Sequence, residues 1–479
     1  MTQELYINAK RVDLQAGTKL TLNFRSNIFG AIDKLSSGYS LTIKLPKTPN
    51  NDAILGMPDV ASVSSETMAY KSYNAYLIID GVPIVNGKTV MLSASTDNYE
   101  VSLIWGAVPT LQEWLDSDKV IGDLYLGEDN SGVIKEYYNN NNYDIFDKTL
   151  GKNIGLYYYY NGDGEFVFPV VKVGFLFRSL LDNELGGVID TSGINLSVLD
   201  SLYITFTKDL KKETDASSND RLFIVNDNLP EIKQVDFFKA VCRMQGWFVE
   251  QDASGNVKLV MIDTMRPNAL NSRNWSNKLA QQGDPDVDFS YNDNAQYNWL
   301  RYKEDKSVVV ESDGYVRVED ALAEVNKTLY TLPFAATEGQ TIKQYNVSLE
   351  SIEVVDSPYS DRLLIKVTKN YEFIRIEPRI LELTTSYGSP TDASGNKIPQ
   401  LYFTDELQFS TIIANKYSYY QDIVRQPKVV TVELNLSVFD YVALDYTKPV
   451  YLSQYGSYFA IIELRYSDNK TTAKLIKLP

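Results

Sequence analysis

Short runs in which apolar and polar residues alternate, set apart by turn residues, recur along most of this chain and dictate a mainly β fold. In YSLTIKL, Tyr39, Leu41, Ile43 and Leu45 take one side and Ser40, Thr42 and Lys44 the other, the period of a half-buried strand that Pro46 ends. The preceding NIFGAIDKLSSG is too short and glycine-punctuated for a stable free helix, and reads as an arm leading into that strand. The same alternation in ELYINAKRVDL, KLTLNF, NAYLIIDGVPIV, TVMLSAS and YEVSLIWG makes residues 1–125 a small barrel-like or sandwich-like domain. Within it, Asp80-Gly81 and Asn86-Gly87 mark two tight turns of a meander.

The period changes after Trp105. Leu111, Trp114 and Leu115 stand at helical spacing behind a capping box of Thr110 and Glu113, a short helix closing the first domain. Residues 126–228 form an insertion or linker region: an Asn-rich loop from Gly127 to Asp147, then one helix. That helix starts after Pro169, lines up Val170, Val173, Leu176, Phe177, Leu180 and Leu181, and ends before Gly186-Gly187. Residues 229–285 read as a helix-plus-hairpin module. Its helix starts near Val235 or Asp236, buries Phe237, Phe238, Val241 and Cys242 and stops at Gly246; strands Trp247–Gln251 and Val257–Ile262 follow around a turn at 252–256. Residues 286–479 are a second β-rich domain. It includes a hairpin around Ser312-Asp313-Gly314, a segment LYFTDELQFSTIIANKYSYYQDIV with room for a helix, and a final three-strand meander whose middle strand puts Tyr458, Ala460, Ile462, Leu464 and Tyr466 on one face. The fold class is therefore mainly β with α+β modules, two small β-barrel or sandwich domains linked by helix-plus-hairpin units.

Composition removes most chemistry. With no histidine among 479 residues, Ser-His-Asp and Cys-His catalysis and HExxH zinc chemistry are unavailable. The single cysteine, Cys242, allows no intramolecular disulfide and sits in an apolar pattern, as a buried inert thiol does. Asp284, Asp286 and Asp288 alternate as in an EF-hand loop, but Phe289 and Ala295 stand where that loop needs Gly and Glu, so the string is a polar turn before a strand. NGDGEF at 161–166 lacks phosphate-loop spacing and reads as a β-turn. No catalytic, cofactor-binding or metal-binding residue emerges, and no enzyme activity is expected. A net charge of −16 argues against a general nucleic-acid surface, and no run of residues has the length and apolarity of a membrane span. The N-terminal MTQELYINAKRVDL has no secretory pattern, so the chain is expected to be made and to stay soluble in a cytoplasm unless it leaves within a larger particle.

Tyrosine is the unusual residue, with 34 copies grouped at Tyr157, Tyr158, Tyr159 and Tyr160 and again between Tyr417 and Tyr420. Such clusters suit wet protein interfaces or sugar-binding faces, and also ordinary strand packing.

Four stretches, SNIFGAIDKLSSGYSLTIKLPKTPNN, NLPEIKQVDFFKAVCRMQGWFVEQDASGNVKLV, DNAQYNWLRYKED with LYTLPFAAT, and KPVYLSQYGSYFAIIEL, resemble in that order tail proteins of phages and prophages of Bacteroides-type bacteria. The succession of β domain, helix-plus-hairpin module and β domain is also similar to baseplate or tail-tip hub proteins of tailed phages. The resemblance implies a non-enzymatic virion component, assembled in the bacterial host cytoplasm. It further implies a homo-oligomeric ring, a trimer by preference, around the channel for DNA or a tape-measure protein. Its partners would be tube, tape-measure and tip or fibre proteins. On that reading Lys44 and Lys47 line the channel or meet an acidic neighbour, against the plainer alternative of a solvated strand edge. The alternative function is a glycan-binding or carbohydrate-active β-protein stacking sugars on Tyr157–Tyr160 or Tyr417–Tyr420.

Overall fold

A computed structural model describes residues 2–15, 17–18, 20–29, 38–60, 70–105, 114–126, 131–135, 156–160, 167–205, 213–214, 220–224, 226, 229–251, 256–268, 270–280, 285–291, 294–304, 312–336, 342–348, 351–357, 364–367, 371–374, 378–385, 395–397, 400–467 and 470–479. Strands from both ends of the chain meet in one fourteen-stranded sheet. From one edge its main path runs Asp286–Asp288, Val429–Leu434, Lys470–Lys477, Ser457–Ser467, Thr21–Arg25, Gly38–Ser40, Asn98–Trp105, Val82–Ala94, Tyr73–Ile79, Gln3–Ile7 and Lys10–Val12, and three strands, Ile43–Pro46, Val450–Leu452 and Arg273–Asn274, pair beside that path. The seam is the antiparallel pair of Thr21–Arg25 with Ser457–Ser467, where Phe24 faces Leu464. The apolar residues of one face, among them Leu5, Leu77, Val101, Phe24, Leu464 and Leu475, bury against one another in a single core drawn from both termini. The mainly β class with α+β modules is as the alternation demands, and among the described residues no sheet closes into a barrel.

Two bulges redirect faces that the alternation assigns otherwise. Tyr39 pairs with Ile104 but Ile43 with Val101, so four steps on one strand meet three on its partner. The extra residue flips the phase. Ser40 is buried before it, accepting the Leu103 N–H at 2.8 Å, while Leu41 is 44% exposed and Ile43 and Leu45 turn inward after it. The expected single strand is thus two, Gly38–Ser40 and Ile43–Pro46. In Ser457–Ser467 a second bulge lies between Ile461 and Glu463. Phe459 and Ile461 before it, and Leu464 and Tyr466 after it, face the core shared by the two termini, whereas Tyr458, Ala460 and Ile462 face the other core. The five residues expected on one face divide between two.

Two helix and turn assignments also change. Asp80-Gly81 is a turn, both residues having positive φ, but Asn86-Gly87 lies inside the thirteen-residue strand Val82–Ala94. A Cβ on Gly87 would sit 2.2 Å from the Ile104 carbonyl oxygen, so glycine is there for close strand approach. Pro169 is in strand Val167–Lys172, opposite Tyr158, and the helix begins only at Val173. The capping box at Thr110 and Glu113, the Asn-rich loop from Gly127 onward in large part, the NGDGEF turn and most of the arm NIFGAIDKLSSG lie outside the described residues.

The helix-plus-hairpin module forms as its pattern requires. Helix Gln234–Gln245 ends at Gly246, whose φ of 67° is the left-handed cap, and strands Trp247–Gln251 and Val257–Met261 pair antiparallel. Strand Ile189–Asp190 joins the hairpin in parallel. Phe238 stacks on Phe177 at 5.6 Å and meets Trp114 edge-on at 5.5 Å, binding the residues that precede the module to it. Trp114 Nε1 donates to the buried Gln234 Oε1 at 2.9 Å. Two short helices, Phe409–Lys416 and Ser418–Arg425, occupy the segment with room for one. The closing meander Val450–Leu452, Ser457–Ser467 and Lys470–Lys477 pairs as expected.

Replacing Gly87 by alanine is expected to push the strands Val82–Ala94 and Asn98–Trp105 apart and to cost about 1–3 kcal/mol, the usual penalty of overpacking. Urea unfolding of the variant measures it; a midpoint equal to wild type would show that the strands shift without strain.

Candidate functional site

Lys44 lies in strand Ile43–Pro46 and Lys47 directly follows it, but the two meet different surroundings. Lys44 lies opposite Glu100 on the neighbouring strand, 3.3 Å from its Oε1, with the lysine side chain 65% exposed. The Glu100 carboxyl is held below its usual range by the Ser93 hydroxyl first and Lys44 second. Lys47 is drawn inward instead. It pairs with Asp59 and lies 5.1 Å over the Tyr99 ring, whose hydroxyl donates to Asp52 Oδ1 at 2.6 Å. The hydrogen bond from Lys47 depresses the Asp59 carboxyl. Burial, then the bond to Asp52, pushes the Tyr99 phenol well above its ordinary value.

The local sequence builds this cluster. Thr48 caps helix Pro49–Leu55 by accepting the Asn51 N–H, Pro49 opens the helix, and Gly56 closes it in the left-handed region. Asn51 is wholly buried and donates to the carbonyls of Pro46 at 2.8 Å and Asp13 at 3.0 Å, accepting the Asp13 N–H in return. Lys47 is thus committed within the chain, and Lys44 is the one of the two that presents its ammonium to solvent.

Tyr157, Tyr158, Tyr159 and Tyr160 form strand Leu156–Tyr160, antiparallel to Val167–Lys172; their side chains lie outside the described residues. The second tyrosine cluster is internal. Tyr417, Tyr419 and Tyr420 are all buried, and burial pushes each phenol up to about 12. Tyr417 donates to the Arg243 carbonyl at 2.8 Å, and Phe248 packs on Tyr417 and Tyr420. A sugar cannot stack on rings so placed, which removes this half of the glycan reading. Beside them, Lys416 donates to the Met244 carbonyl at 3.1 Å and to Gln245 Oε1 at 2.8 Å, satisfying the C-terminal end of helix Gln234–Gln245. Burial drives its ammonium down to about 8. Cys242 is buried and its thiol is pushed up to about 12, so it is not a nucleophile at neutral pH.

A surface that carries no sequence motif lies on the three-stranded sheet of Gly314–Arg317, Tyr297–Lys303 and Asn326–Ala335. Alternation turns Asn298, Leu300 and Tyr302 inward and leaves Tyr297, Trp299 and Arg301 outward. Tyr315 stands 4.9 Å from both Tyr297 and Trp299, with Arg301 5.1 Å over Trp299 and Arg317 6.0 Å over Tyr297. Tyr315 is 41% exposed, and Trp299 is fixed by donating to Asn326 Oδ1 at 2.9 Å. The signal was present in YNWLRYK and GYVR, where aromatic and basic residues occupy the polar phase of each strand. Among the described residues no group of three or more Asp, Glu or Cys is placed to hold a metal ion, and no helix is long and apolar enough to cross a membrane.

No family model matches the sequence, and no curated protein does. Two solved structures are similar to it along nearly their whole length. One is the 43 kDa tail protein of prophage MuSo2 from Shewanella oneidensis, at 8% identity and a TM-score of 0.39, covering 99% of this chain and 97% of that one. The other is a tail protein from Neisseria meningitidis MC58, at 8% identity and a TM-score of 0.40, covering 100% and 96%.

Reversing the charge at Lys47 (Lys47→Glu) is expected to lower the thermal unfolding midpoint, because Asp59 and Asp52 then face a like charge, while Lys44→Glu leaves the midpoint nearly unchanged. Equal melting curves for the two variants would show that the Lys47 cluster is not structural.

The pH dependence of Lys416 has a definite sign. Its folded value of about 8 lies below that of an unfolded lysine, so the unfolded chain holds more protons between the two values and this group's contribution to stability rises with pH across that window. Between pH 8 and 10 the wild type should therefore gain stability relative to Lys416→Met. A constant difference between the two chains over that range would remove the buried ammonium from the account.

Proposed function

We propose that this chain is a non-enzymatic structural component of a phage tail, a baseplate or tail-tip hub subunit carried in the virion and assembled in the host cytoplasm. It associates with copies of itself into a ring, a trimer by preference, and meets tube, tape-measure and tip or fibre proteins. The observation that supports this most is the seam between Thr21–Arg25 and Ser457–Ser467, which makes one block of the two β units with the helix-plus-hairpin module packed against it. That is the order of units the sequence resemblance concerns, and a block of this kind suits a part that must keep its shape under load. Gln3–Ile7 and Lys470–Lys477 are both interior strands of the shared sheet.

Lys44 is the residue left for the channel or for an acidic neighbour, since Lys47 is committed to Asp59. Co-expression with the tube and tape-measure proteins of its tail, followed by mass photometry and negative-stain microscopy, tests the reading. Ring-shaped particles that co-purify with a tail protein are the expected result. A chain that stays monomeric at high concentration and recovers no tail partner overturns it.

A further inference from the structure

The exposed face of Tyr297, Trp299 and Tyr315 has a counterpart on the same molecule. Between strands Gly314–Arg317 and Asn326–Ala335 the chain runs VEDALAEV, residues 318–325. This loop is held at both ends. Glu319 takes Arg425 Nε at 2.7 Å and Gln426 Nε2 at 2.6 Å, and its own N–H donates to the Arg425 carbonyl at 2.7 Å. Gln296 donates its N–H to the Glu324 carbonyl at 2.8 Å and its side-chain amide to the Ala323 carbonyl at 3.2 Å. At the tip, Asp320 Oδ1 accepts the Leu322 N–H at 2.9 Å. A loop so fixed presents Leu322 to solvent at 97% exposure, with Val325 at 57% behind it and the carboxylates of Asp320 and Glu324 to either side. A large apolar side chain held rigidly in water, flanked by acids, is a preformed knob.

We propose that this region pairs two copies of the chain, the acidic, leucine-tipped loop of each seating on the arginine-bordered aromatic face of the other. Trp, Tyr and Arg are the residues that concentrate binding energy at interfaces, and rigid rings and a fixed loop lose little freedom on docking. The two arginines border the rings from opposite ends, Arg301 standing four residues, about 13 Å of strand, from Tyr297, which Arg317 overlies. Charge favours a copy of this chain as the occupant: at a net −16 its surface carries carboxylates in excess, and in the loop Asp320 and Glu324 flank the exposed Leu322. Placement favours a two-fold contact. Arg317 runs directly into the loop and Asn326, opposite Tyr297, follows it, so knob and face adjoin; a two-fold axis satisfies both at once, whereas a head-to-tail contact needs them apart. The pairing goes beyond the ring reading, because it names a particular surface and a two-fold contact rather than a ring-closing one.

Sedimentation velocity of the full chain tests it. Wild type is expected to show a reversible pair. Leu322→Asp, and separately the double variant Arg301→Glu with Arg317→Glu, should weaken pairing about tenfold or more, the loss of one strong interface residue. Leu322 is solvated, so its variant should unfold at the wild-type midpoint. Adding Asp320→Arg and Glu324→Arg to the arginine double variant should restore pairing by swapping the charges. A wild type that never pairs, pairing that survives Leu322→Asp, or a folded charge-swapped variant that stays unpaired overturns the proposal. Rings or tail-protein complexes that persist in Leu322→Asp while pairing is lost keep this result separate from the proposed function.

Discussion

One five-residue strand holds the molecule together as one body. Thr21–Arg25 hydrogen-bonds to Ser457–Ser467 on one side and to Gly38–Ser40 on the other, and Arg25 reaches Glu463 through Nε at 3.2 Å and Nη2 at 3.1 Å. Directly after it the chain turns, and the turn is caught by Glu250 of the central hairpin. That carboxylate is wholly buried, accepting the Ser26 hydroxyl at 2.7 Å and the backbone N–H groups of Asn27 and Ile28 at 3.2 Å. A buried carboxylate is costly unless its oxygens are satisfied, so it is stable only when the turn is in place, and the turn is placed by the seam. Strands from both termini and the hairpin of the central module are thereby conditional on one another. The partners at this junction are separated by more than two hundred residues of chain, a topology in which loop-closure entropy must be met before the contacts form, and slow folding follows.

How much of this was legible in the sequence depends on whether the cause was local. The helix Gln234–Gln245, its glycine stop and the hairpin after it follow from a 3.6-residue period, a left-handed cap and two short β runs, all within thirty residues. The closing meander follows from alternation in the same way. What failed was everything set by a partner strand. A bulge at residues 41–42 is invisible in YSLTIKL, because the alternation is perfect there and only the register against Val101 and Ile104 shows the extra residue. Asn86-Gly87 has the composition of a turn, yet Gly87 answers to the backbone of Ile104 and Trp105. Pro169 looked like a helix start because proline opens helices, but proline is equally tolerated where no ladder hydrogen bond is asked of it, and three further residues of strand precede the helix.

The abundance of tyrosine says more about the interior than about the surface. Tyr302 donates to the Leu407 carbonyl, Tyr417 to that of Arg243 and Tyr330 to that of Asp236, each fastening one element to another through a ring that is apolar along its body and polar at its tip. A phenol can end in a buried region if a backbone carbonyl waits there, which phenylalanine does not need and serine is too short to reach. The helix pair Phe409–Lys416 and Ser418–Arg425 is anchored in this way, with Tyr417, Tyr419 and Tyr420 inside and Lys416 closing the neighbouring helix. Counting tyrosines therefore could not locate a binding face. Their phase could: in Tyr297, Trp299, Arg301 and Tyr315 the large residues occupy the side of the strand that alternation reserves for solvent.

The charge distribution sharpens that contrast. With 46 basic against 62 acidic residues, cations are scarce, and many are engaged inside the chain: Lys47 with Asp59, Lys258 with Asp445, Lys278 with Asp440, Arg178 with Asp200, and Arg25 with Glu463. Several of these pairs join strands or segments far apart in sequence, and two of them fix the helix-to-strand connection at 437–447 onto the rest. The excess of carboxylates leaves the chain acidic on balance, and like-charged surfaces repel one another in solution. Contacts between copies on such a surface draw on apolar patches and on outward-facing cations. Arg301 and Arg317, set over aromatic rings on a regular sheet, supply both conditions in one place, with Arg301 also 3.9 Å from Asp313 Oδ2.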